Sequence, residues 1–299
     1  MGRLTAIVLG AAAGGGFPQW NCRCPVCAKG WDGRVRTRTQ CSVAVSGDGE
    51  HWILLNASPD LRAQIQVTPA LHPRGAPRGS PIAAVVVTGG EIDQIAGLLS
   101  LRESQAFELF GTAETLSAID ANPVFAALAP NLVPRRPVSP DTAFALPGGV
   151  EAELFTTPGK VPLYLERPDR ALAGEPGANV GVEIRCGGAR LAFVPGTARL
   201  TSELKQRLAR ADLVLFDGTL FTDDEMVRTG TGSKTGHRMG HMPIDGPDGS
   251  LAGLRELSNR RIYIHLNNTN PVLIADSAER RTVEAAGWEV ADDGMELVL

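Results

Sequence analysis

Short apolar runs, each about the length of a strand, recur along the chain between turns rich in glycine and proline. Residues 85–87 are three consecutive valines, and residues 213–216 and 262–264 have the same apolar character. Continuous β-branched runs are typical of strands that are buried on both faces of a sheet. Helical patterns separate such runs, for example at residues 202–211 and 275–286. The alternation predicts an α/β protein.

Turn and cap signals divide the rest of the chain. Ser46-Gly47-Asp48-Gly49 predicts the turn of a hairpin, and Ser58-Pro59-Asp60-Leu61 resembles a helix start with Ser58 as its cap. Further strands are expected at residues 4–9, 40–46, 52–56, 108–111, 152–155, 182–185 and 190–194, helices near 95–99 and at 113–122, and closing segments at 288–291 and 296–299.

Polar side chains follow three of the buried runs. Glu91, Asp93 and Gln94 come shortly after the valines, Asp217 follows the second run, and His265 follows the third. Functional sites of α/β proteins are built at the ends of their strands, and carboxylates and imidazoles are metal ligands. We therefore expect these strand ends to converge on a metal pocket. The alternative for Glu91 and Asp93 is the ordinary preference of acidic residues for a helix N-terminus.

A long polar segment at residues 222–250 separates the second and third runs. It is rich in glycine and contains His237 and His241. Loops of this length in a compact domain are usually functional or disordered. We expect His241 to face the pocket, and the segment to cover it and become ordered when substrate binds.

Three cysteines lie within six residues, in the sequence NCRCPVC. Cys22, Cys24 and Cys27 are spaced as C-x-C-x2-C. Thiolates this close repel one another unless a soft cation neutralises them, and Zn²⁺ is the usual one. The alternative is three unrelated reduced thiols. A structural zinc needs a fourth ligand from far along the chain, since Cys41 and Cys186 lie in strand-like runs and are expected to be buried hydrophobes.

Composition narrows the class of protein. The chain has 299 residues, of which 43% are hydrophobic and 21% charged, and its net charge is −4. These values are typical of an ordinary soluble protein and argue against a general nucleic-acid binder. No apolar run approaches the roughly 18 residues that span a membrane. The N-terminal apolar stretch runs directly into the glycine loop at residues 10–16, which predicts a first strand and loop, and a cytoplasmic protein.

The order of strands, the glycine loop and the strand-end ligands resemble the metallo-β-lactamase superfamily. The motif H-x-H-x-D-H of that superfamily corresponds here to residues 89–94, where Asp93 alone is retained. The segments FPQWNCRCPVC, TGGEIDQIAGLL, TPGKVPLY, FDGTLFTDDEM, MGHMPI and IHLNNTNP resemble the PqqB family of pyrroloquinoline quinone biosynthesis. The resemblance covers essentially the whole chain and implies one domain over residues 1–299, with an αββα sandwich fold.

The resemblance implies an iron-dependent oxygenase that hydroxylates the tyrosine ring of a Glu–Tyr-derived intermediate. The alternatives are a carrier or export factor for the finished quinone, and a metal-dependent hydrolase; the missing histidines argue against a two-zinc hydrolase. Glu91, Asp93 and His241, with Asp217 as a further candidate, can form a mononuclear site for Fe²⁺ and O₂. Lys160 is expected to offer a cation to a substrate carboxylate or phenolate, the alternative being a surface lysine.

The resemblance leaves His265 with two competing roles. Related phosphodiesterases complete a three-cysteine zinc site with one C-terminal histidine and use a second, three residues away, in the active site. Here Asn268 stands at the second place, and we assign His265 to the structural zinc because closed Cys3His sites are common. The expected partners are a small substrate and O₂, without nucleic acid or membrane. The role of Gln94 and the choice between monomer and homodimer stay open.

Overall fold

Two mixed β-sheets lie face to face at the centre of the computed structural model, which describes residues 3–166 and 177–299. The first sheet consists of β1 (Thr5–Gly10), β2 (Ser42–Ser46), β3 (Trp52–Leu55), β4 (Ile82–Val86), β5 (Glu108–Gly111), β6 (Arg135–Pro137) and β14 (Glu296–Val298). The second consists of β7 (Ala143–Leu146), β8 (Val150–Thr156), β9 (Val180–Cys186), β10 (Ala189–Val194), β11 (Leu213–Asp217), β12 (Arg260–Ile264) and β13 (Glu289–Val290). Their strand orders are β14-β1-β2-β3-β4-β5-β6 and β13-β12-β11-β10-β9-β8-β7.

The strands are apolar on both faces because both faces of each sheet are covered. In β1, Ala6 and Val8 pack into the core between the sheets, whereas Ile7 and Leu9 pack into a second core on the outer face. This alternation follows from the two-residue period of a strand. It explains why the buried strands appear in the sequence as continuous hydrophobic runs.

Helices cover the outer faces of both sheets. On the first sheet, Leu61, Leu116 and Ile119 pack from helices α2 and α4; on the second, Leu204 and Val283 pack from α5 and α9. The helices are α1 (Pro25–Trp31), α2 (Leu61–Val67), α3 (Ile92–Ile95), α4 (Ala113–Asp120), α5 (Ser202–Ala209), α6 (Glu225–Arg228), α7 (Gly236–Met239), α8 (Ser250–Gly253) and α9 (Ala278–Ala285). The layers form the expected αββα sandwich, so this prediction is confirmed. In the described ranges no helix combines the length and apolar character that crossing a membrane requires.

Several element boundaries differ from the sequence prediction for identifiable reasons. Helix α2 begins at Leu61, with Asp60 at the N-cap position; Ser58 instead donates its hydroxyl hydrogen to Gln64 Oε1 at 3.1 Å. The helix expected near residues 95–99 is one α-helical turn followed by a 3₁₀ segment at Ala96–Leu101. The segment 222–250 is not a plain loop, because it contains α6 and α7 and the first residue of α8.

The parallel part of the second sheet determines where the polar strand ends meet. Strands β10, β11, β12 and β13 run parallel to one another, and Asp217 of β11 is in register with Ile264 of β12. The carboxyl ends of parallel strands share one edge of the sheet. Asp217 and His265, which follows Ile264, are therefore brought together by strand register alone.

Candidate metal centre

A cleft of about 490 Å³ lies at this edge, between the two sheets. The glycine loop borders it at Ala13, Gly14 and Gly15, and His241 and His265 border it from the second sheet and its connections. Gly10, at the root of that loop, approaches the neighbouring backbone so closely that an added Cβ would lie 2.2 Å from Gln40 O. Close approach of this kind requires glycine, so the glycine-rich sequence shapes one wall of the cleft.

Asp217, His241 and His265 form a candidate metal centre, called the metal centre below, because their ligand atoms all lie within 4.8 Å of one another and could hold a metal ion. His241 Nδ1 is 2.8 Å from Asp217 Oδ2. The hydroxyl of Thr219 donates to Asp217 Oδ1 at 2.6 Å and lies 3.0 Å from His241 Nδ1 and 2.8 Å from His265 Nδ1. Thr219 therefore orients all three side chains at once.

Asp93 reaches the same group from α3, on the first sheet. Its Oδ2 lies 2.9 Å from His265 Nε2, on the opposite side of the ring from Thr219. The rings of His241 and His265 stack with their centroids 5.1 Å apart. Asp93 is thus the contribution of the first sheet to a site otherwise built by the second.

The backbone around the metal centre holds its ligands rigidly. Asp217 is fully buried, and its carboxylate accepts hydrogen bonds from the N–H groups of Thr197 at 2.9 Å and Thr219 at 3.1 Å. His265 has a φ of +60°, in the left-handed region that side chains other than glycine rarely adopt. Such conformations cluster at functional sites, where surrounding contacts enforce them.

Opposite charges stabilise each other within the metal centre. Burial disfavours the charged form of Asp217, but His241 and His265 more than compensate, so the pKa of Asp217 lies below its usual value. Burial likewise works against ionised Asp93, and the bond to His265 lowers its pKa overall. Burial lowers and Asp93 raises the pKa of His265, and the net direction is upward. Binding of a metal cation would displace the imidazole protons that these pairs hold.

Glu91 does not join the metal centre, although the sequence placed it there. Its Oε1 accepts a hydrogen bond from Lys160 Nζ at 2.9 Å, and its Oε2 accepts one from the N–H of Leu163 at 3.3 Å. Glu91 is the N-cap of α3, and its backbone N–H donates a hydrogen bond to Gln94 Oε1 at 3.1 Å. The helix-start alternative therefore describes Glu91, and Gln94 serves as its capping partner.

Lys160 lines the cleft and is already paired with acids. Besides Glu91, its ammonium lies 3.2 Å from Glu166 Oε1, and its side chain is only 14% exposed. Lys160 is therefore not a plain surface lysine, and its role toward substrate stays a prediction.

The segment 222–250 forms another wall of the cleft through Lys234, Met239 and His241. His237 lies outside the metal centre, where its Nδ1 is 2.7 Å from Asp223 Oδ1 and its side chain is 48% exposed. That the segment 222–250 becomes ordered when substrate binds stays a prediction.

A second cluster, the cysteine triad of Cys22, Cys24 and Cys27, has its sulfur atoms within 4.8 Å of one another. Backbone N–H groups of Cys24 and Cys27 donate to the sulfurs of Cys22 and Cys24, both at 3.4 Å. Burial raises the pKa of Cys24 to about 12. Cys41 and Cys186 are buried away from the triad, as expected.

The assignment of His265 to the cysteine site is wrong. Its ring lies between Thr219 and Asp93 in the metal centre, whereas Asn268 lies against the thiols, with its Nδ2 3.2 Å from the sulfurs of Cys22 and Cys27. The reason is geometric, since the register of β12 directs residue 265 to the sheet edge and residue 268 beyond it.

Known proteins of similar sequence identify the family of this chain. Residues 51–266 match the family described as the beta-lactamase superfamily domain. The coenzyme PQQ synthesis protein B of Methylobacterium nodulans is 55% identical over 299 residues, covering 99% of this chain and 100% of the relative. That of Gluconacetobacter diazotrophicus is 54% identical, covering 97% and 98%. The chain belongs to the PqqB family.

Solved structures agree with this placement. The structure of zinc-bound PqqB from Methylobacterium extorquens superposes with a TM-score of 0.97 at 51% identity, covering 99% of this chain and 100% of that one. A diphosphatase of the PhnP family superposes with a TM-score of 0.68 at 20% identity, covering 99% and 97%. At that identity the likeness shows the fold alone.

Two contributors to the site of this PqqB-family protein were missed in the sequence. Thr219 orients the ligands, and the N–H of Thr197 anchors Asp217. Thr219 stands two residues after the strand-end aspartate, and that spacing was the available signal, because a threonine there can turn back to the carboxylate. Thr197 follows a strand-ending Pro-Gly pair, which by itself indicates only a turn.

Proposed function

We propose that this PqqB-family protein holds one Fe²⁺ through Asp217, His241 and His265 and hydroxylates the tyrosine ring of a Glu–Tyr-derived intermediate with O₂ and an external two-electron reductant, the second oxygen atom leaving as water. The observation that carries the proposal is the ligand set itself. Two histidines and one carboxylate with open positions are the arrangement used by non-haem Fe²⁺ oxygenases. Asp93, bonded to the Nε2 of His265, lies beside this group.

The spacing of the donor atoms supports a shared ion. Ligand atoms bound at about 2.1 Å and at right angles to one another lie about 3 Å apart. His241 Nδ1 lies 2.8 Å from Asp217 Oδ2, and a ring nitrogen of His265 lies within 4.8 Å of the ligand atoms of both. All these donors are nitrogen or oxygen atoms, and a set without thiolates fits iron at least as well as zinc.

The protein groups around the donors keep them in place. Bound Fe²⁺ would supply the activation of O₂ and a position for a phenolic oxygen. The N–H groups of Thr197 and Thr219 hold the Asp217 carboxylate, so that it need not reorganise when a cation binds. The Thr219 hydroxyl contacts the Nδ1 of His265 and leaves its Nε2 free for a metal, which is the role that hydrogen-bonding partners of metal ligands commonly play.

The cleft suits a small acidic substrate. Its volume of about 490 Å³ lies in the usual range for small-molecule sites. Lys160 and Lys234 border it, and both pair with Glu166, at 3.2 and 3.8 Å. A substrate carboxylate that enters the cleft would compete with Glu166 and Glu91 for these ammonium groups.

The cysteine triad is the proposed place of a structural zinc. The relative from Methylobacterium extorquens is described as zinc-bound, and three sulfurs within 4.8 Å suit that ion. The two sites share no ligand, so iron at one and zinc at the other are compatible.

The test reconstitutes the protein with Fe²⁺ under anaerobic conditions and then supplies O₂, a reductant and a tyrosine-containing substrate derived from glutamyl-tyrosine. Mass spectrometry should find the mass of one added oxygen atom. Asp217→Asn and His265→Gln should lose this product, whereas His237→Gln, in the same 222–250 segment but outside the metal centre, should retain it.

Two results would contradict the proposal. Full activity with Zn²⁺ in place of Fe²⁺ would point to hydrolysis or another non-redox reaction. Tight binding of the quinone without any oxygen-dependent mass change would point to a carrier, for which the converging ligands would have no catalytic purpose.

A further inference from the structure

The carboxylate of Glu166 lies among three cations beside the cleft that holds the metal centre. Its Oε1 is 3.2 Å from Lys160 Nζ, and its Oε2 is 3.8 Å from Lys234 Nζ and 3.8 Å from a guanidinium nitrogen of Arg238. Lys160 comes from the loop after β8, whereas Lys234 and Arg238 come from the 222–250 segment. Lys160 and Lys234 also line the cleft. Two separate parts of the chain therefore place positive charge at one point, and we call these three residues the cation cluster.

The cation cluster holds Glu166 by charge more than by directed hydrogen bonds. Within residues 3–166 and 177–299, Oε1 of Glu166 is buried without a hydrogen-bond partner, because the Lys160 ammonium is close to it but not aligned. The two contacts of Oε2, at 3.8 Å, exceed hydrogen-bond length. Burial acts to raise the pKa of Glu166, but the three cations outweigh burial, so this pKa lies below its usual value. Glu166 is therefore a charged but loosely held occupant of the cluster.

Glu91, the other acid beside Lys160, is bound differently. It accepts hydrogen bonds from Lys160 Nζ at 2.9 Å and from the N–H of Leu163 at 3.3 Å, and it caps α3. Lys160 Nζ also donates to Val161 O at 3.2 Å. An ammonium group has three hydrogens, and Glu166 is the third oxygen neighbour of this one, at 3.2 Å. A further carboxylate can approach Lys160 only by displacing a neighbour, and Glu166 is the least firmly held.

We propose that Glu166 occupies the position of a substrate carboxylate, and that a carboxylate of the bound substrate displaces it from the cation cluster. This inference deepens the proposed function, on which it rests for a small acidic substrate. In the described part of the chain the three cations face two acids, Glu91 and Glu166. The group therefore has one net positive charge with Glu166 in place and two after Glu166 has left, and the second state attracts an anion.

An internal competitor of this kind makes the cleft selective for carboxylate ligands. A neutral ligand cannot replace Glu166, because the cations would exchange a charged partner for an uncharged one. A carboxylate exchanges one charged partner for another, and its apparent affinity is reduced by the fraction of protein in which Glu166 still occupies the cluster. Removing the charge of Glu166 should therefore strengthen the binding of carboxylate ligands without strengthening that of neutral ligands.

Isothermal titration calorimetry tests this inference with a matched pair of ligands. Glutamyl-tyrosine carries carboxylates on its side chain and at its C-terminus, and glutaminyl-tyrosinamide has the same shape with amides in their place. In the full-length protein, loaded with Fe²⁺ and kept anaerobic, Glu166→Gln should bind glutamyl-tyrosine about 3- to 10-fold more tightly than the parent. The same variant should bind glutaminyl-tyrosinamide no more tightly than the parent. Lys234→Met should weaken the binding of glutamyl-tyrosine.

A double-mutant cycle separates competition from a purely structural role. If Glu166 acts through Lys160, Glu166→Gln should lose most of its effect on glutamyl-tyrosine binding in a protein that already carries Lys160→Met. The matched control is Glu108→Gln, which removes the same charge and breaks an ion pair with Arg136 at 2.8 Å. Glu108 does not line the cleft, so this variant should bind both ligands as the parent does.

Several results would overturn the proposal. They are unchanged or weaker binding of glutamyl-tyrosine by Glu166→Gln, equal strengthening for both ligands, and no detectable binding of glutamyl-tyrosine by parent and variant alike. If Glu166→Gln does not fold, unchanged binding of glutamyl-tyrosine by Lys234→Met would overturn it equally. None of these measurements requires turnover. Absence of oxygen incorporation would refute the proposed hydroxylation and leave the ligand affinities to decide the role of Glu166.

Discussion

Glu225 is a buried acid that has no cationic partner at close range among residues 3–166 and 177–299, and it should make the stability of this protein depend on pH. It is 5% exposed and lies at the start of α6. Its Oε2 accepts a hydrogen bond from the N–H of Phe221 at 2.7 Å, and its Oε1 accepts one from the hydroxyl of Thr269 at 2.5 Å. Burial is the dominant influence; it outweighs these bonds and the charge of Arg228 and raises the pKa of Glu225 from 4.5 to about 7.

The raised pKa determines both the sign and the size of the effect. The folded protein binds a proton at Glu225 more tightly than the unfolded chain does, so the free energy of unfolding falls as pH rises from about 4.5 to about 7. At about 1.4 kcal/mol per pH unit, this one group removes about 3 kcal/mol of stability across that interval. Above about pH 7 its contribution no longer changes.

Glu225→Gln isolates this contribution because glutamine stays neutral at every pH. Urea unfolding of parent and variant at about pH 5 and about pH 8, both in excess chelator, cancels the titration of the metal ligands. The free energy of unfolding of the variant relative to the parent should rise by about 3 kcal/mol between the two conditions. Glu256→Gln, at an exposed position, should show no such change. If the free energies of unfolding of Glu225→Gln and the parent differ by the same amount at both pH values, the reasoning is refuted.

Three further predictions concern the two sites. Asp93→Ala should lower oxygen-dependent turnover by about 10- to 100-fold or more, with the zinc content unchanged. Asp223→Ala, which removes the partner of exposed His237, should keep the parental turnover. Oxygen incorporation into the substrate is the measurement for both variants. Cys24→Ser should lose zinc and melt at a Tm lower by about 5 °C or more than the parent. A chelator should lower the Tm of the parent to that of the variant. Equal Tm values of parent and variant without chelator would contradict this prediction. Trypsin should cut after Lys234 and Arg238, which are 38% and 41% exposed, more slowly when glutamyl-tyrosine is bound. Cleavage in the exposed loop at residues 73–81 is the internal standard. If bound glutamyl-tyrosine slows cleavage equally in this loop and in the 222–250 segment, ordering of the 222–250 segment is refuted.

The fold was largely accessible from the sequence because burial on both faces leaves a strong signal. Continuous runs such as the one at residues 213–216 are strands covered by helices, and the polar residues expected to converge at their ends, Asp93, Asp217 and His265, do lie together, whereas Glu91 does not join them. Helix α1 and β7 were not recognised. Both are short, at 7 and 4 residues, and hydrophobic periodicity carries little information over such lengths.

Individual ligand roles were harder to predict because they depend on side-chain direction. Glu91 and Asp93 are two residues apart on the same turn, yet the first faces Lys160 and the second His265. The N-cap geometry of α3 makes this choice, and acidic residues near a strand end look alike in the sequence whichever way they point. His265 presented the same difficulty, since its partner is set by the register of β11 and β12 and not by its spacing from the cysteines.

Successive residues of the segment from His265 to Asn270 contact different parts of the molecule, which makes their individual roles difficult to predict from the sequence. His265 faces the metal centre, Asn268 the cysteine triad and Thr269 the carboxylate of Glu225. Asn270 Nδ2 donates to Gly218 O at 2.8 Å, beside the metal ligand of β11. Holding His265 at a φ of +60° costs about 1–3 kcal/mol, and these surrounding bonds offset that cost. Consecutive residues of this one segment therefore contact both clusters, so the backbone that holds His265 in its strained conformation also positions Asn268 against the thiols.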